Sequence, residues 1–131
     1  MRVLMFQERF SRAVWAGEKL QTIRASARCA TGDELSLRRW SGKPYRSKQH
    51  VLRATRCASV LPVRITAHGI QVEGCGTNRD RMAAADGFRD WREMRDWFAS
   101  VHGLPFNGFL ISWSNISGQP RLAQKGTNEK K

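Results

Sequence analysis

The sequence predicts an α+β domain: a curled sheet or small β-barrel of mixed and antiparallel strands, with two main flanking helices. Three observations lead there. Apolar residues fall four apart at Phe6, Phe10 and Val14, and return at helical spacing at Trp91, Met94, Phe98 and Val101. Between these stripes lies a long β-branched stretch, Val51 to Thr66, that alternates in places. Turn signals punctuate the chain at Gly17, Gly32-Asp33, Ser41-Gly42-Lys43-Pro44, His68-Gly69 and Gly103. Helix, strands, helix and strand within 131 residues make one α+β domain.

Each element has a local reason. Phe6 to Ala16 is the first helix, and Gly17 sits where a left-handed stop belongs. Leu20 to Ala25 is a short strand and Glu34 to Trp40 a second. The basic run Tyr45 to His50 is an exposed loop. Val51 to Thr66 is the long strand, with Pro62 marking a bulge or an edge. Ile70 to Glu73 is a short strand, Gly74 to Asn78 a loop and Asp80 to Ala85 a short helix. Asp90 caps the second main helix, which Gly103 ends. Leu104 to Gly108 is a loop and Phe109 to Trp113 the last strand. The domain therefore covers 1–113. From Ser114 to Lys131 the composition turns polar, without an aromatic residue, which predicts a mobile tail.

Charge narrows the partner. The chain carries 23 Lys and Arg against 11 Asp and Glu, a net charge of +12. From Leu35 to Val72 there are eight basic residues and no acidic one. A one-signed stretch projects a positive field that attracts a polyanion, most simply RNA or a nucleotide. Trp40 and Tyr45 flank a turn among Arg38, Arg39, Lys43, Arg46 and Lys48, a set able to stack on bases and hold phosphates. Ordinary cross-strand packing of the two rings is the plainer reading. No apolar run reaches the roughly 20 residues of a membrane span. Cys29, Cys57 and Cys75 form no C-x-x-C pair, and His50, His68 and His102 stand apart. Neither metal nor cofactor is expected, and reduced thiols suit a cytoplasmic protein.

The chemically richest run is Gly17-Glu18-Lys19-Leu20-Gln21-Thr22-Ile23-Arg24. It puts an amine, a hydroxyl and a guanidinium within six residues. On a strand Thr22 and Arg24 face the same side, and Arg24 can meet a phosphate or a base edge. Thr22 is a nucleophile if a base takes its proton, and Lys19 is that base if desolvation lowers its pKa. Plainer roles exist for each. Lys19 suits the dipole after a helix end, Thr22 suits a strand, and Arg24 can pair with Asp33 or Glu34.

With these residues in view, the chain from about Phe6 to Trp113 resembles the ASCH domain family, whose members have a PUA-like β-barrel. The resemblance rests on the helix before the motif, on Gly17, Lys19, Thr22 and Arg24, and on Gly32-Asp33. It also rests on Asp86-Gly87-Phe88 leading into the Trp91–Phe98 helix, and on the strand ending at Trp113. It implies RNA or nucleotide recognition in a basic cleft around G-x-K-x-x-T-x-R. One branch of the family looks like an amidohydrolase of acetylcytidine, in which a Lys and a Thr spaced as Lys19 and Thr22 act with a downstream Glu. Another member is described as a ribonuclease. The matching carboxylate here is Asp86, one methylene shorter, with Asp90 and Glu93 as weaker candidates; Asp86 is otherwise a turn or cap residue. Three functions follow as expectations: a binding module, a hydrolase acting through Lys19, Thr22 and Asp86, and a regulator whose basic surface meets an acidic protein.

Overall fold

The computed structural model describes residues 1–114. The expected polar tail lies outside them except for Ser114. The elements run β1 (Arg2–Met5), α1 (Glu8–Ala16), β2 (Gln21–Arg24), β3 (Glu34–Trp40), β4 (Gln49–Ile65), β5 (Ile70–Val72), β6 (Cys75–Gly76), α2 (Arg79–Ala85), α3 (Trp91–Val101) and β7 (Phe106–Trp113). The fold is α+β, with one mixed sheet and three helices. α1 and α3 are the two longer ones.

β4 organises the sheet. Its first half pairs antiparallel with β3, its second half with β7, and a register shift between Cys57 and Ser59 separates the halves. Such a bulge re-aims a strand, so one strand serves two sets of neighbours. β1 lies parallel to β3, β5 borders the far end of β4, and β2 pairs with β7. Pro62 is tolerated because it sits just past the end of the three-residue β5, where its carbonyl accepts from Glu73 N–H at 2.9 Å. The register shift of β4 against β7 falls between Cys57 and Ser59 and not at Pro62, which the sequence marks as a bulge or an edge.

The expected barrel does not close. The hydrogen-bonded path runs β1-β3-β4-β5-β6, with β7 and then β2 branching from β4, and no described pairing joins β1 to β2. The reason is local. The end of β1 and the outward edge of β2 are held together by a side chain: Arg24 Nη2 donates to Met5 O at 2.7 Å. A guanidinium spans where a strand ladder would run, and leaves a gap between the two strands.

The helices cover the core through the stripes read in the sequence. Phe10 and Val14 of α1 and Trp91, Met94 and Phe98 of α3 are buried, whereas Val101 is 53% exposed and lies off the packed face. Burying a side chain of this size contributes about 1.5–3 kcal/mol. Gly17 ends α1 at φ 79°, and Arg53 closes the same end by donating to Val14 O and Trp15 O. Asp90 caps α3 by accepting from Glu93 N–H at 2.9 Å. β1 was not anticipated by the sequence reading. β7 starts at Phe106, inside the expected loop, and β4 starts at Gln49.

Candidate functional site

The gap between β1 and β2 is a cleft of about 290 Å³. Met5, Phe6 and Gln7 form one wall; Thr22, Ile23, Arg24 and Ala25 form the other. Lys19 and Asp86 lie at its base, and Phe10, Phe88, Trp97, Phe98 and His102 complete it. The three polar residues of the motif thus share one cleft with Asp86.

Lys19 owes its position to the helix stop before it. After Gly17, the amides of Glu18 and Lys19 both return to Ala13 O, at 2.8 and 3.0 Å. That tight turn directs the Lys19 side chain inward, and the residue is only 2% exposed. Its Nζ donates to Asp86 O and to Asp86 Oδ1, the latter at 3.2 Å, and sits 5.1 Å from the centroid of the Phe10 ring. Asp86 ends α2, returning its N–H to Met82 O. Gly87 follows at φ 97°. A Cβ there would come within 2.9 Å of the Phe10 ring and 3.4 Å of Lys19 Cδ, so only glycine lets the turn close over the lysine.

Burial pushes the Lys19 amine below its ordinary pKa. Asp86 pulls it back up, and Arg24 and Arg9 add to the lowering. Burial pushes the Asp86 carboxyl up, against the pull of Lys19, Gln21 and Arg24. Desolvation outweighs the mutual attraction for both partners, so the amine holds its proton less tightly than a solvated lysine and the carboxyl holds its proton more tightly than a solvated aspartate.

Thr22 and Arg24 project from the same face of β2, which is pinned to β7 by the pairs Thr22↔Ile111 and Arg24↔Phe109. Arg24 Nε donates to Thr22 Oγ1 at 3.1 Å, and its guanidinium lies 4.9 Å from the Phe6 ring centroid. The alternative pairing of Arg24 with Asp33 or Glu34 is not formed. Those carboxylates lie against Arg2 and Arg56, at 3.8 and 3.2 Å. Among the described residues, Arg24 Nη1 has no hydrogen-bond partner, the Thr22 hydroxyl proton has no acceptor, and Lys19 makes no hydrogen bond to Thr22. The weaker carboxylate candidates serve α3 instead: Asp90 is its cap, and Glu93 accepts from Arg89 N–H and Arg9.

The wall of the cleft was not legible as a site in the sequence. Phe10 meets Phe88 edge-on at 5.4 Å, Phe88 lies 5.7 Å from Trp97, and Phe98 stacks on His102 at 5.5 Å. Phe98, which helical spacing marked as core, is also cleft wall, and so is its neighbour Trp97. Nothing in the pattern marked His102.

The basic residues of the β3–β4 hairpin divide. Arg38 is tied to Ser36 Oγ and Gln49 Oε1, and Arg39 turns to the opposite face beside Trp15 and His50. Lys43, Arg46 and Lys48 are exposed and, among the described residues, have no ion-pair partner. Trp40 and Tyr45 pack 5.1 Å apart at a tilt of 48°.

No group of three or more His, Cys, Asp or Glu among the described residues could hold a metal ion, and no described helix is long and apolar enough to cross a membrane. No protein-family model matches the chain, and no curated protein or solved structure matches it either.

Proposed function

We propose that the protein is an ASCH-type, PUA-related domain that binds RNA or a nucleotide, taking one base into the cleft between β1 and β2. The observation that carries this reading is the pairing of an aromatic wall with an unengaged guanidinium edge. Phe10, Phe88 and Trp97 offer ring contacts to a planar group, and Arg24 Nη1 offers N–H donors to a carbonyl or phosphate oxygen. The volume is at the small end of the roughly 300–1,000 Å³ of ligand sites, room for one nucleoside rather than two. The net charge of +12 supplies long-range attraction for the phosphates, and a cytoplasmic setting with reduced thiols suits the three free cysteines. Calorimetric titration with cytidine 5′-monophosphate tests the reading. Arg24→Ala should weaken binding by about tenfold or more, the worth of a charge-assisted hydrogen bond. Equal affinity in wild type and Arg24→Ala would count against it.

A second reading, hydrolysis of an acylated base such as acetylcytidine, is favoured by one observation: a buried Lys19–Asp86 pair beside a hydroxyl that already accepts from a guanidinium. In that reaction Thr22 Oγ1 attacks the acyl carbon while its proton passes through one water to the Lys19 amine. The C–N bond breaks, the leaving nitrogen takes that proton, and water then cleaves the threonine ester to acetate. Asp86 orients the amine. Cytidine release by wild type, with loss in folded Lys19→Ala and Thr22→Ala, would establish the chemistry. Background rates in all three would leave a binder.

A further inference from the structure

A second depression, of about 440 Å³, adjoins the cleft and shares Met5, Phe6 and Gln7 with it as a common wall. Its far side is the hairpin: Trp40, Ser41, Gly42, Pro44 and Tyr45, with the Glu8 carboxylate at its border. Tyr45 is 89% exposed and sits at φ 64°, a left-handed conformation that a bulky residue adopts at a cost. The hairpin holds it there. Ser41 N–H donates to Lys48 O at 2.8 Å, Arg46 N–H to Lys43 O at 3.1 Å, and the Ser47 hydroxyl bridges Gly42 N–H and Lys43 O. An aromatic ring is thus presented to solvent on a braced turn, beside a half-buried indole and three exposed cations, Lys43, Arg46 and Lys48.

We propose that the ligand is a single strand of RNA lying across both depressions. One base enters the cleft, the strand crosses the Met5–Gln7 ridge, and a neighbouring base stacks on the Trp40–Tyr45 pair. Phosphates between them face Lys43, Arg46 and Lys48. This rests on the reading of the cleft as a base pocket and adds the substrate class: an oligonucleotide rather than a free nucleoside. Charge complementarity selects the occupant, because stacking rings flanked by unpaired cations match a polyanion with π faces. Glu8, the first residue of α1, is the one acid among the residues lining the depression.

The test compares a fluorescein-labelled RNA octamer with cytidine 5′-monophosphate, on wild type, Trp40→Ala, Tyr45→Ala and the triple variant of Lys43, Arg46 and Lys48 to Ala. The octamer should bind wild type more tightly than the mononucleotide. Tyr45→Ala, at an exposed ring whose one aromatic neighbour is Trp40, should fold as wild type and lose about 5- to 100-fold in octamer affinity, the worth of one stacked base, with mononucleotide affinity unchanged. The triple variant should lower the salt slope of octamer binding by about 2, at roughly 0.7 per phosphate. Octamer affinity unmoved by Tyr45→Ala, with mononucleotide binding intact, would overturn the second subsite and leave the cleft reading standing. Binding of neither probe would overturn both.

Discussion

Replacing Lys19 with Met isolates what the buried pair contributes. Met keeps the length of the side chain beside Phe10 and removes the charge. Both partners are nearly sealed from solvent, their side chains 3% and 6% exposed. Without the ammonium, Asp86 keeps the burial that raises its pKa above 3.8 and loses the largest influence opposing that rise. Well below the ordinary value of 3.8 the carboxyl is protonated in the folded and the unfolded chain alike, so little is lost there, and the loss is still small at about pH 4. As pH rises, the unfolded chain releases the proton while the folded chain holds it, and stability falls by about 1.36 kcal/mol per pH unit until the folded-state pKa is reached. Carried to pH 7, the loss has a ceiling of about 4.4 kcal/mol, within the roughly 3–5 kcal/mol for halving a buried pair. Asp86→Asn should slope the other way. Lys19 then loses the carboxylate that raises its pKa, and the folded chain releases its proton before the unfolded chain does. Stability of that variant rises with pH up to the unfolded value of 10.5. Urea unfolding of both variants from pH 4 to pH 9 reads these slopes. Equal losses at pH 4 and pH 7 for Lys19→Met, or slopes of the same sign in both variants, would refute the argument.

RNA affinity should fall linearly in log–log form with salt, and an affinity unchanged between low and moderate salt, read by fluorescence anisotropy, would count against phosphate contacts. Gly108→Ala places a Cβ 2.4 Å from Arg24 O and 2.7 Å from the Phe106 ring. It should cost about 1–3 kcal/mol in thermal unfolding and weaken mononucleotide binding as β2 shifts; Gly69→Ala, with nothing within 4 Å, should stay within about 0.5 kcal/mol. Burial, with Cys29 adding to it, pushes the Cys57 thiol up to about 11. Iodoacetamide at pH 7.5 should therefore modify the exposed Cys75 well before Cys57, as mass spectrometry of peptides would show.

Where the sequence carried a period or a cap, the structure mostly follows it, Val101 being the exception. The stripe Phe10–Val14, the Gly17 stop, the Asp90 cap and the strand Glu34–Trp40 were legible because each depends on residues a few positions apart. β1 was not, because four residues at a sheet edge carry too little alternation to stand out from the helix that follows. The open sheet was not legible either. It turns on Arg24 reaching Met5 O, a contact across 19 positions that competes with the equally plausible partners Asp33 and Glu34. The site divides in the same way. Strand spacing placed Thr22 and Arg24 on one face and Asp86 was found through its Asp-Gly-Phe context, whereas Lys19 joins them through the turn after Gly17. Phe88, Trp97 and His102 looked like core or nothing, since a ring that packs a helix and a ring that lines a cleft leave the same periodic trace. Arg38 and Arg39 looked equivalent, and strand alternation sends them to opposite faces.

The claim on which the rest depends is that the gap between β1 and β2 receives a base. A crystal structure of the protein with cytidine 5′-monophosphate tests it most directly. The pyrimidine should lie against Phe10, Phe88 and Trp97, with a ligand oxygen within hydrogen-bond distance of Arg24 Nη1. The nucleotide bound elsewhere on the surface, with the cleft empty at saturating ligand, would contradict it.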